Sequence, residues 1–159
     1  MRAACLWALL AVPLAAQGTQ TGFGAGDADP DAPVEVTAER LAVDQDTGTA
    51  VFAGDVLIVQ GEMRLSGPEV RVVYGEAGDS IRRLEASGGV LLVSGEDAAE
   101  AQSADYDVET GRIVMSGEVL LTQGRATVAS DRMEVDLESG RAELAGRVRT
   151  VLQPQGRGQ

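Results

Sequence analysis

The chain has 159 residues and a formal charge of −12 at pH 7, from 25 acidic residues against 13 basic ones. Every basic residue is arginine, for neither lysine nor histidine occurs, so no basic field exists to displace counterions and a nucleic-acid partner is excluded. The length suits one domain, either compact or drawn out as an array of repeats.

Residues 1–18, "MRAACLWALLAVPLAAQG", place Arg2 before an apolar run that ends at Leu14, followed by small residues. This is the layout of a secretory signal peptide, cleaved after Ala16 or Gly18, and the run is too short to span a membrane comfortably. Cys5 precedes the apolar stretch, so it is not the lipid-modified cysteine that directly follows a lipoprotein cleavage site. The exported chain would then carry no thiol, which fits an oxidising compartment.

Residues 19–33, "TQTGFGAGDADPDAP", are rich in Gly, Asp and Pro and read as a flexible linker. The folded domain is expected over residues 34–154, with a short tail at 155–159.

From Val34 onward the hydrophobic period is two, which signals strands with one apolar face. The first run gives Leu41 and Val43, and "GTAVFAGDVLI" gives Phe52, Val56 and Ile58. Next come Val72 and Tyr74, then Leu84, Val90 and Leu92 from "RRLEASGGVLL". "YDV" supplies Tyr106 and Val108, and "GRIVMSGEVLL" supplies Ile113, Met115, Val119 and Leu121. Met133, Val135 and Leu137 follow, and "GRAELAGRVRT" closes the series with Leu144 and Val148. The opposite parity carries charge, as at Arg83, Glu85, Glu143 and Arg149.

Glycines set the repeat. Gly54, Gly88, Gly117 and Gly146 are spaced by 34, 29 and 29 residues, and an insertion around "GEAGDS" accounts for the longer first interval. Asp46-Thr47-Gly48, Glu109-Thr110-Gly111 and Glu138-Ser139-Gly140 mark hairpin turns, where glycine supplies positive φ. A glycine inside a strand pattern marks a bulge or bend. Each repeat therefore reads as strand, turn, strand, kink, strand, and stacking four of them predicts two facing antiparallel sheets with a shared aliphatic lining.

No catalytic inventory accompanies this pattern. There is no His, no cysteine after Cys5, and no phosphate-cradling or dinucleotide glycine motif. Asp105 and Asp107 could be imagined as an acid–base pair, but they share the solvent side of a strand whose other side holds Tyr106 and Val108. "DQDTG" and "DADPD" lack the glycine and the bidentate acid of a calcium loop. Arg82, Arg83, Arg147 and Arg149 could grip phosphate, though arginines on an outer face more often solubilise it. The expectation is a binding protein, with no enzyme activity, cofactor or metal.

"AERLAVDQDTGTAVFAGDVLIVQG" and "GRVRTVLQP", together with the kinked repeats, resemble the OstA-like family of lipopolysaccharide-transport proteins, over residues 34–154. The Val148 to Pro154 ending resembles the family's periplasmic bridge members. The resemblance implies a β-jellyroll with an open apolar groove that holds lipopolysaccharide acyl chains. It also implies a periplasmic location between an inner-membrane export complex, which has a single-pass jellyroll subunit and an ATPase, and an outer-membrane translocon. Head-to-tail self-association is expected through the end strands, at Val34, Val36, Val148 and Val151. Two other readings of the residues stand beside it: a closed sandwich whose columns fill their own core, and a secreted β-solenoid that polymerises without lipid.

Overall fold

The computed structural model describes residues 19–24, 29 and 31–154. The period-two pattern produces eleven strands among them. β1 is Thr19–Gly22, β2 Glu35–Thr37, β3 Arg40–Asp44, β4 Thr49–Gln60, β5 Met63–Tyr74 and β6 Ile81–Ser94. β7 is Asp97–Asp107, β8 Arg112–Gln123, β9 Ala126–Asp136, β10 Arg141–Ala145 and β11 Arg149–Leu152. All pairings are antiparallel and lie in one sheet, in the order β1-β10-β9-β8-β7-β6-β5-β4-β2. β3 also pairs with β4, and β11 with β9.

The two sheets expected from the sequence are two arms of this one sheet. Long strands run through the kink, and register slips by one residue there in every central ladder, between Ala53/Val56, Ser66/Glu69, Ser87/Val90, Glu100/Ser103 and Ser116/Val119. A bulge bends its strand and increases the local twist, so bulges in line across neighbouring strands fold the whole sheet over. At the two ends the bend is complete enough to split the strand, separating β2 from β3 and β10 from β11.

The first arm contains β3, the halves of β4 to β9 that carry residues 49–53, 69–74, 81–87, 103–107, 112–116 and 132–136, then β10 and β1. The second contains β2, the other halves of β4 to β9, and β11.

The bend explains why glycine recurs at the kink. Gly117 has φ 84°, and a Cβ there would lie 2.8 Å from Gln102 Oε1 and 2.9 Å from its Cβ. Both the backbone region and the close approach exclude a side chain. The next residue also takes positive φ, and at two of the kinks its side chain reaches across the bend. Glu118, at φ 49°, accepts from Gln102 Nε2 at 2.8 Å. Arg147, at φ 46°, donates through Nε and Nη2 to Asp131.

Candidate acyl-chain groove

The predicted inward residues share one face. Val56, Ile58, Val72, Leu84, Val90, Leu92, Tyr106, Ile113, Met115, Val119, Leu121, Met133, Val135, Leu137 and Leu144 are buried in one cluster, with Phe52, Tyr74 and Val108 packed against it. The columns of the two arms face each other and exclude solvent with their own side chains. Val70, on the parity of Val72 and Tyr74, joins the same cluster, and so do Met63 and Leu65 of β5 and Ala99, Ala101 and Ala104 of β7, which the sequence pattern does not reach.

The arms meet at their tips through a polar contact. Tyr106, on the first arm, donates its phenol O–H to Gln60 Oε1 on the second at 2.5 Å, and both residues are buried. Burial holds the Tyr106 phenol above its ordinary range, a shift partly offset by the bond to Gln60. A neutral phenol is the form that can donate here.

Charge on the outer face takes part in ion pairs and turn bonds. Arg83 pairs with Asp105 at 3.5 Å and Arg112 with Glu134 at 3.3 Å. Asp107 accepts the Thr110 N–H at the turn, so Asp105 and Asp107 have separate local duties. Asp44 accepts from the N–H groups of Asp46 and Thr47, and Asp136 accepts from Ser139. These backbone donors hold Asp44, Asp107 and Asp136 below the usual carboxylate range. Of the arginines considered for phosphate, Arg83 and Arg147 are engaged with carboxylates. Among the described residues no cluster of three or more His, Cys, Asp or Glu could hold a metal ion.

At both ends of the stack the inward columns come to the surface. Leu41 and Val43 on β3 are 56% and 63% exposed, and Leu152 on β11 is 73% exposed. Val34 and Val36 are half-buried, while Val148 and Val151 are exposed. The backbone phase separates the last two residues. Gln153 N–H donates to Arg125 C=O, and Val151 lies opposite Thr127, so by antiparallel alternation Val151 directs its backbone to β9. Thr150 and Leu152 present theirs to the free edge. Val151 is thus a ladder residue of β11, and the edge contacts belong to its neighbours.

The linker expected over residues 19–33 does not extend to its first residues. Thr19–Gly22 pairs with β10, from Thr19 opposite Leu144 to Gly22 opposite Arg141. Phe23 follows and is only 2% exposed, inside the core cluster. A four-residue strand without alternation gives no strand signal, and its partner lies at the far end of the sequence. Residues 1–18 and 155–159, read as signal peptide and tail, lie outside the described residues.

Residues 35–141 match the family described as LptA/(LptD N-terminal domain) LPS transport protein. The chain belongs to this LPS-transport family. That family is described by its role in LPS transport. An uncharacterized protein of Rhizobium meliloti (strain 1021) is 29% identical over 114 residues, covering 67% of this chain and 61% of that protein. The match therefore spans less than two thirds of the relative's length. In fold the chain is similar to LptH of Pseudomonas aeruginosa, described as the LptA-homologous periplasmic component of the conserved lipopolysaccharide transport device. The TM-score is 0.71 at 20% identity, over 80% of this chain and 99% of LptH. An all-β antiparallel jellyroll of the LptA type is thus established for this member of the family.

Proposed function

We propose that this periplasmic LPS-transport domain carries lipopolysaccharide acyl chains between its two arms, as one segment of a bridge from an inner-membrane export complex to an outer-membrane translocon. The observation that carries the reading is the exposure of Leu41, Val43 and Leu152 at the ends of columns that are otherwise buried. A self-contained stack finishes its ends with polar caps. Here the apolar path runs out through both ends, as a segment of a longer conduit requires.

The energetics suit passage. Exposing an acyl chain to water costs about 0.8 kcal/mol per CH₂, so a dozen methylenes cost about 10 kcal/mol. Moving the chain from a bilayer to an aliphatic slot exchanges one apolar environment for another. The slot lowers the barrier and leaves direction to an energy source elsewhere, such as the ATPase of the export complex. Because the columns are filled by their own side chains, entry requires the arms to part along the bulge line, with the Tyr106–Gln60 contact opening first. The partners would be the single-pass jellyroll subunit on one side and the translocon on the other, with further copies between them.

A photoreactive residue scan tests the proposal. Substitution at Ile58, Leu92, Met115 or Leu121 should give crosslinks to lipopolysaccharide, and substitution at the outward Glu85 or Glu143 should give none. Equal labelling of the two faces would overturn the groove. A chain that purifies free of acylated lipid, and forms filaments indifferent to added lipopolysaccharide, would be a structural solenoid instead.

A further inference from the structure

We propose that β1 is a displaceable cover: it occupies the edge of β10 that β3 of a second copy needs, so end-to-end assembly begins with its release. The inference rests on the head-to-tail reading above and adds a control to it.

Strand number is the first argument. With β1 in place the first arm has nine strands and the second eight; without it each has eight, β3 to β10 on one and β2 to β11 on the other. A stack that continues through both arms needs equal numbers in each. β1 is the odd strand.

Direction and phase give the second. β1 runs towards the tip of the first arm, with Gly22 opposite Arg141, and β3 runs the same way, with Asp44 opposite Thr49. Phe23 N–H donates to Gly140 C=O, so Thr21 and Thr19 face Ala142 and Leu144 through backbone bonds by alternation. On β3, the Tyr74–Gly48 bond fixes the phase of β4, which leaves Leu41 and Val43 with backbone groups on the free edge and side chains on the inward face. Leu41 and Val43 of a second copy could therefore replace Thr19 and Thr21 opposite Leu144 and Ala142. On the second arm the same continuation sets Val36 against Thr150 and Val34 against Leu152. The two registers differ by one residue across Gly146–Arg147, the same slip found in each central ladder.

Among the described residues, backbone pairing and one buried side chain hold the cover. "TQTG" places no large apolar residue on β10, whereas β3 would bring Leu41 and Val43. The anchor is Phe23 in the core, backed by the Gly24 N–H bond to Asp97 Oδ2 at 2.9 Å and by Gln123 Nε2, which donates to Gly22 C=O and to Asp97. Gly24 packs on Ser94, whose hydroxyl is buried there with no hydrogen-bond partner. Release would return that hydroxyl to water.

Cysteine pairs test this in the full exported chain, with Cys5→Ser wherever the leader is retained. Gln20 and Glu143 are directly opposite and form a non-hydrogen-bonded pair by the same alternation, the geometry in which cross-strand side chains lie closest. Oxidised Gln20→Cys/Glu143→Cys should stay monomeric at concentrations where the reduced form associates by sedimentation velocity. Thr21→Pro and Phe23→Asp, which loosen β1, should tighten association by about tenfold, with unchanged far-ultraviolet circular dichroism confirming the fold. Mixing an Ala42→Cys chain with a Glu143→Cys chain should give a disulfide-linked pair, more in the Thr21→Pro background. Association that persists in the oxidised locked chain would overturn the cover and leave head-to-tail assembly standing. No association and no Ala42–Glu143 crosslink in any variant, the loosened ones included, would overturn both.

Discussion

The middle of the sheet and its two ends follow the same alternation with opposite results. In β4 to β9 each inward residue has a neighbour on both sides and an arm above it, so Leu121 and Met115 are sealed from water. Leu41, Val43 and Leu152 obey the same rule on strands with one neighbour, and they are exposed. Sequence pattern therefore decides which face a residue takes, and position in the stack decides whether that face is covered. On the head-to-tail proposal, what lies beyond the last strand would supply the missing cover.

A charge substitution on each side of that contrast should break it most visibly. Leu121→Asp would bury an unpaired carboxylate and open a cavity, costing more than about 4 kcal/mol, a large part of a typical domain's stability. Leu152→Asp should change the thermal stability of the monomer by no more than about 0.5 kcal/mol. Chemical denaturation of both variants measures the difference, and similar losses would show that the end column is covered in the isolated chain.

The bend comes next in size. Gly117→Ala forces a side chain into positive φ and against Gln102, and should destabilise by about 1–3 kcal/mol. Loss of that order in a denaturant melt would confirm that the fold line is a fixed bulge; a neutral result would mean that the bend relaxes.

Proline at the edges sharpens the contrast further. Val36→Pro and Leu152→Pro remove N–H groups that face away from the sheet, so each should weaken association by about tenfold, or about 1.4 kcal/mol, with little change in melting temperature. Val151→Pro should instead loosen β11 from β9 and lower the melting temperature. The same effect from proline at 151 and 152 would contradict the backbone phase.

The smallest effect concerns acid. Asp44, Asp107 and Asp136 are held below their usual range by turn N–H groups, and Asp131 by its hydrogen bond and ion pair with Arg147. A folded value below the unfolded one means that the contribution to stability is complete above about pH 3.9 and fades as pH falls through the depressed values. The melting temperature should be flat from about pH 7 to pH 5 on this account and fall in stronger acid. Asp136→Ala should shrink that fall.

Much of this architecture was legible because it is periodic. Gly117 and its equivalents mark the fold line, and the parity of Ile113, Met115, Val119 and Leu121 gives the inward face without knowledge of any partner strand. The same logic gave the end strands, but it could not show that Val151 and Leu152 direct their backbones to opposite sides, since side-chain alternation is silent on hydrogen-bond phase. Nor could it find β1. Thr19–Gly22 carries no pattern of its own, and Gly24, next to the buried Phe23, is held by residues at least seventy positions away, Ser94 and Asp97. Two facing sheets were expected where one folded sheet exists, because a kink read locally does not reveal that hydrogen bonding continues through it.

The pairing of β1 with β10 also sets an order of events. Every ladder from β3 to β10 joins strands that follow one another along the chain or flank a single bend, so these hairpins can close as soon as they emerge. Of the described strands β1 comes first along the chain, yet its partner is among the last segments to follow. The first strand made is consequently the last to be seated, and until then the molecule presents the bare edge of β10 to whatever stands beside it.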